Sequence, residues 1–177
     1  MIEKNSEYEK GLKLSVEGKE KEKIFKMIRE KTAAWGIGIP DTEPLVLDFG
    51  LNDFWNTGET EFWIANEEEA GYCGKQLFLF KGQLCPKHYH DEKLETFFII
   101  KGSIRMNYGN STFIMSRGDI LRAEPGVYHS FSAEEDSLVL EVSKPSIICD
   151  NFFENPRIPF GKNYKSHEDT EDTDNEQ

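Results

Sequence analysis

Cysteine is scarce in this 177-residue chain, and long apolar runs are missing altogether. The three cysteines, Cys73, Cys85 and Cys149, are odd in number and form no Cys-x-x-Cys pair. A disulfide framework is therefore excluded as the organising device, and reduced, half-buried thiols are expected. No apolar stretch approaches the roughly 18 residues that a membrane crossing needs. The first 31 residues carry 9 basic and 7 acidic side chains, too many charges for the core of a signal peptide. Positive charge is also in deficit. Lys plus Arg number 21 against 33 Asp plus Glu, a formal net charge of -12. That balance argues against a nucleic-acid partner, whose phosphates must be met by basic groups, and against docking on anionic membranes. A soluble, cytoplasmic protein is the expectation.

What is present is enough for a core. Hydrophobic residues make up 37% and the chain holds 13 Phe, whereas disordered chains are poor in aromatics. Three segments follow. Residues 1–40 read as a helical segment: Ile24, Met27, Ile28 and Trp35 recur at helical spacing from about Lys19 onward, after interruptions at Gly11 and Gly18. Gly36, Gly38 and Pro40 end the pattern, and the helix is expected to pack outside the main domain. Residues 163–177 carry 6 acidic side chains and 1 basic one. They are expected to form a disordered acidic tail, since nothing there offsets the entropy of ordering. Residues 41–162 form the domain. Their period is two, with strands expected at 45–49, 61–65, 75–81, 94–101, 103–108, 112–115, 119–123 and 137–143. Short strands at such spacing indicate an all-β sandwich or barrel, and Gly109-Asn110 reads as a tight hairpin turn.

Histidine supplies the chemistry. His88 and His90 are two apart, so on a strand they share a face. Glu95 follows five residues later, and His129 comes after the turn at Pro125-Gly126. Three imidazole nitrogens and one carboxylate suit Mn, Fe, Co, Ni or Zn better than Ca or Mg. The glycine frame turns this set into a pattern: Gly82, five residues, His88-x-His90, four residues, Glu95, six residues, Gly102. Gly118 then lies eight residues before Gly126 and eleven before His129. These spacings resemble the two motifs of the cupin superfamily, with Pro125 directly before Gly126 where one intervening residue is usual. The resemblance implies an all-β cupin double-stranded β-helix, a jelly-roll barrel with the site inside.

A narrower likeness rests on Leu47-Asp48-Phe49-Gly50, Tyr72-Cys73-Gly74-Lys75-Gln76-Leu77, Cys85-Pro86-Lys87-His88-Tyr89-His90, Glu95-Thr96-Phe97, Glu141-Val142-Ser143 and Asn155-Pro156-Arg157-Ile158. Together these resemble the D-lyxose isomerase family of cupins. What that resemblance implies is a dimeric enzyme interconverting an aldose and a ketose, with a divalent metal, typically manganese. It assigns His88, His90, Glu95 and His129 as metal ligands and Lys75 and Glu141 as catalytic residues. The connections from His90 to Glu95 and from Glu95 to His129 are shorter than is usual in the family.

Aldose–ketose isomerisation moves a hydrogen between adjacent carbons, through an enediolate if a base carries it as a proton. Glu141 would be that base, made more basic by desolvation inside an apolar barrel, and Lys75 would move protons at the sugar oxygens. Alternation alone gives a different answer for Glu141. Leu138, Leu140 and Val142 form the apolar face of that strand, which puts Glu141 toward solvent. Tyr89, Tyr128, Asp150, Asn151, Arg157 and the three tryptophans are weaker candidates for contact with a sugar. The competing readings are another metal cupin, such as a dioxygenase, and a sugar-binding cupin without turnover.

Overall fold

The computed structural model describes residues 5–161, so the acidic tail expected at 163–177 lies outside the described residues. Two helices come first, α1 (Ser6–Lys13) and α2 (Gly18–Ala34). Asn5 caps α1 by accepting the N–H groups of Glu7 and Tyr8 on its side-chain oxygen. Gly18, at φ +65°, sets the break before α2. Gly11 does not interrupt helix, as its type suggests, but sits inside α1. A methyl group there would collide with Leu45, so the glycine permits a close approach.

Eleven strands follow among the described residues: β1 (Leu45–Leu47), β2 (Glu59–Glu67), β3 (Tyr72–Leu79), β4 (Leu84–Tyr89), β5 (Glu95–Lys101), β6 (Ser103–Tyr108), β7 (Ser111–Ser116), β8 (Ile120–Ala123), β9 (His129–Ala133), β10 (Ser137–Ser143) and β11 (Phe152–Phe153). They form two antiparallel sheets, in the orders β1-β2-β3-β10-β5-β8 and β11-β4-β9-β6-β7. The architecture is the all-β cupin jelly roll with its helical N-terminus. The Gly109-Asn110 turn joins β6 to β7, with Gly109 at φ +57°.

Three strands were not legible. In β4 the register shifts between Cys85 and His88, so both point inward although they are three apart. A β-bulge at Pro86-Lys87 destroys the alternation that a reader would look for. β9 is rich in serine, and β11 has only two residues. β1 also ends earlier than expected. Phe49 and Gly50 turn to positive φ, and the Asp48 carboxylate holds the turn by accepting from the N–H groups of Gly50 and Asn52.

The core has two layers. Inside the barrel, Leu77, Phe97, Ile99, Ile104, Met106 and Phe131 meet from both sheets. Outside, Ile24 and Ile28 of α2 cover Val46, Phe62, Phe78 and Leu138 on the far face of the six-stranded sheet. Both isoleucines are wholly buried, and each such burial contributes about 1.5–3 kcal/mol. Beyond α2 that outer face leaves Ile64, Phe98, Ile120 and Val142 exposed.

Candidate active site

One end of the barrel interior is a pocket built by both sheets. His88 and His129 are register partners on β4 and β9. His90 follows directly after β4, and Glu95 opens β5. All four are buried, and the ligating atoms of the three histidines lie within 4.8 Å of one another. Each ring is oriented by a backbone carbonyl. Nδ1–H of His88 donates to Pro86 O at 2.8 Å, that of His90 to Asp150 O at 2.7 Å, and that of His129 to Val127 O at 3.1 Å. These bonds fix the tautomer and leave Nε2 as a bare lone pair.

Those lone pairs face a carboxylate. Nε2 of His90 is 3.2 Å from Glu95 Oε1, and Nε2 of His129 is 3.2 Å from Glu95 Oε2. Nε2 of His90 and of His129 and Oε2 of Glu95 are buried with no hydrogen-bond donor. Acceptors converging on acceptors repel unless a cation stands among them, so the donor set fits a metal ion. His88 is held well below the usual imidazole pKa by burial, then by His129 and His90, which keeps it neutral. Glu95 is held well below the carboxylate range. Burial opposes ionisation, but the Lys93 ammonium outweighs it.

The six-stranded sheet supplies the opposite wall. Lys75 and Glu141 both point into the pocket, 4% and 3% exposed. The solvent-facing position that alternation gives Glu141 is thereby overturned. The apolar face of β10 is the outer one, because α2 covers Leu138 there, while Val142 is 52% exposed. Glu141 Oε1 accepts from Ser143 Oγ at 2.9 Å and lies 2.7 Å from Lys93 Nζ; its Oε2 faces Lys75 Nζ at 3.8 Å. Burial alone would raise its pKa, as the sequence reading expects, but Lys75 and Lys93 reverse that, and the net direction is downward. Glu141 is therefore a preformed carboxylate. Lys75 stays charged: burial opposes this, and Glu141 and Glu61 override it.

Sequence reasoning missed three polar groups of the pocket, Lys93, Glu61 and Glu59. Lys93 bridges Glu95 and Glu141, at 2.7 Å from each. Glu61 lies 3.3 Å from Lys75 and accepts the indole N–H of Trp63 at 2.6 Å. Trp63 itself lines the pocket, with Lys75 Nζ 4.9 Å from its ring centre. Glu59 is buried beside Glu61. The i, i+2, i+4 spacing of Glu59, Glu61 and Trp63 was the available signal. Gly11 and Leu14 near the N-terminus, and Phe153 and Phe160 near the C-terminus, complete the lining.

The weaker candidates separate. Asn151 lines the pocket, its amide donating to Ile147 O and Ile148 O. Asp150 instead shapes the turn after His90, its carboxylate accepting the N–H groups of Asp91, Glu92 and Lys93. Tyr89 and Tyr128 pack on each other outside the pocket. Arg157 is exposed.

The cupin domain model matches residues 79–143. D-lyxose/D-mannose isomerase of Thermosediminibacter oceani is 30% identical over 166 residues, covering 77% of this chain and 90% of that protein. The chain belongs to the D-lyxose isomerase family of cupins. D-lyxose ketol-isomerase of a Thermofilum species, 28% identical over 170 residues, covers 78% of this chain and 91% of its own length. Among solved structures, L-ribose isomerase of Acinetobacter sp. DL28 in complex with L-ribose aligns with a TM-score of 0.69 at 15% identity. It covers 82% of this chain and 95% of that one. L-ribose isomerase of Geodermatophilus obscurus gives 0.68 at 17%, with the same coverage. At such identities the likeness shows that this family member shares their fold.

Proposed function

We propose that the protein is a metal-dependent aldose–ketose isomerase acting on an unphosphorylated sugar such as D-lyxose, with proton transfer through an enediolate. The observation that carries this reading is the placement of the Glu141 carboxylate, flanked by Lys75 and Lys93, in the same buried pocket as the histidine cluster. His88, His90, Glu95 and His129 would hold the ion, with manganese favoured by the family resemblance. When bound, a divalent cation supplies a Lewis acid that acidifies the C–H bond beside a carbonyl.

The rest falls to side chains of the chain. Glu141 Oε1 is occupied by Ser143 and Lys93, so Oε2 is the atom that takes the proton from one carbon and returns it to the next. Lys75, next to Oε2, moves the proton between the two sugar oxygens and offsets the negative charge that develops there. Lys93 keeps Glu141 and Glu95 apart in charge and position. Leu77, Phe97 and Phe131 exclude water from the reacting carbons. Both pocket lysines are committed to carboxylates and no arginine lines the pocket, which favours a neutral sugar over a phosphorylated one.

The reading includes a cytoplasmic location and a homodimer. The cysteines are free, and no described helix is long and apolar enough to cross a membrane. The exposed Ile64, Phe98, Ile120 and Val142 offer an apolar sheet face for a second copy. The test is incubation of the manganese-loaded protein with aldoses, ketoses and their phosphates, followed by product analysis. Conversion of a free pentose or hexose is expected. No conversion of any sugar by protein that holds its metal would refute it.

A further inference from the structure

Glu59 stands apart from the other acids of the pocket. Glu61, Glu95 and Glu141 each meet a lysine within 4 Å. Glu59, although only 5% exposed, forms no ion pair among the described residues, and its Oε2 is buried without a hydrogen-bond partner. The Cys85 thiol beside it is only a weak donor. A leucine would fill such a place in the barrel wall without leaving a polar atom unsatisfied. A buried, unmatched carboxyl oxygen in a pocket signals a missing partner.

Its position says what kind of partner. Glu59, Glu61 and Trp63 run along one face of β2 toward the pocket. Trp63 is in register with Lys75, and Glu61 touches it. Glu59 lies one strand repeat beyond Glu61, about 7 Å further along β2. An extended five- or six-carbon chain spans that distance.

We propose that Glu59 is a substrate-binding and specificity-determining residue, holding a sugar hydroxyl remote from the two carbons that exchange hydrogen. The proposal rests on the isomerase reading above for the identity of the ligand. Burial, then the neighbouring Glu61, pushes the Glu59 carboxyl up to about 8, with Glu141 adding to the rise and Lys75 and Cys85 opposing it. At neutral pH the group keeps its proton. It is then donor and acceptor at once, the same pairing that a hydroxyl offers.

Sites built to hydrogen-bond a hydroxyl discriminate strongly against its loss, because the buried group is left unpaired. The hydroxyls that such a contact reads are those at carbons 3 and 4, where D-lyxose, D-arabinose and L-ribose differ.

The test compares wild type, Glu59→Gln and Glu59→Leu as manganese-loaded full chains. Calorimetry measures the affinity for D-lyxose, D-arabinose and L-ribose, and turnover of the preferred sugar gives kcat and KM. Glu59→Leu is expected to weaken the preferred sugar about tenfold or more and to narrow the differences among the three, with kcat within about threefold. Glu59→Gln, still donor and acceptor, should stay within about threefold of wild type. Melting temperature separates this role from a structural one: Glu59→Leu removes an unsatisfied buried group, so it should melt no lower than wild type. Should Glu59→Leu not fold, Glu59→Met serves the same comparison. Unchanged affinities and preferences in a folded variant overturn the Glu59 assignment alone, provided that wild type converts a sugar. Binding of no sugar by metal-loaded wild type overturns both the assignment and the isomerase reading.

Discussion

Lys75 and Glu141 sit directly opposite each other on β3 and β10, and their side chains enter the pocket from the same face. Nζ and Oε2 are 3.8 Å apart, too far for a hydrogen bond. The lysine leans instead toward Glu61 and the Trp63 ring. Glu141 Oε2 thus faces the pocket as a carboxylate oxygen with Lys75 beyond hydrogen-bonding range, the arrangement that the proposed proton transfer from carbon calls for.

Glu141→Gln keeps the shape and loses the base. The variant should retain its metal and bind sugar, with kcat reduced by about 10² to 10⁴. Turnover of the wild type in heavy water should place deuterium on the carbon that gains the hydrogen, unless the transfer is shielded from solvent. Near-normal turnover by the variant would remove Glu141 from the chemistry.

The metal set has its own test. Elemental analysis should give about one divalent first-row ion per chain in wild type, and clearly less after His88→Ala or His129→Ala. Equal metal content in all three proteins would show that the cluster holds no ion.

Lys93 is the cation that Glu95 and Glu141 share. Removing one partner of a buried ionic network costs about 3–5 kcal/mol, so Lys93→Met should melt well below wild type. Lys93 also helps to hold Glu141 below the ordinary carboxylate value. The Glu141 carboxylate is lost as pH falls through its folded pKa, and without Lys93 that pKa rises. The acid limb of the kcat profile should therefore move to higher pH. An unmoved limb in a folded variant would contradict the shared role.

Glu59 makes stability depend on pH in the opposite sense. Its pKa rises from 4.5 to about 8 on folding. Between those values the folded chain keeps a proton that the unfolded chain has released, so stability falls as pH rises through the window. The slope approaches about 1.4 kcal/mol per pH unit at most. Denaturant midpoints of wild type and Glu59→Gln from pH 5 to pH 8 should diverge, with the variant lacking this component. Parallel curves would show that Glu59 does not carry the proton.

The clustering of the three histidines was legible because their spacing is framed by turns: His88-x-His90, Glu95 and the glycines around them lie in 21 residues, and His129 follows a second pair of glycines, Gly118 and Gly126. Strands whose side chains alternate across one covered face were legible too. Legibility failed where that assumption broke. The start of β10 is covered on both faces, so Leu138 and Val139 are buried on opposite sides, and alternation took the outer face for the core-facing one. The bulge in β4 hid a strand in full view. Lys93 and Glu59 carry no motif; each matters only because distant strands bring carboxyl groups together around it. α1 lies more than 30 residues before β1, and nothing local in it signals that Gly11 and Leu14 border the pocket.

The histidines and Glu95 belong to different halves of the barrel. His88 and His129 are held by the five-stranded sheet, and Glu95 by the six-stranded one. An ion taken by all of them would act as a rivet through two plates. The melting temperature would then climb with free metal concentration, and chelation would let the plates slide before either sheet lost its own strand pairing. The pocket, lined by both sheets, would then breathe least with the ion bound and most without it.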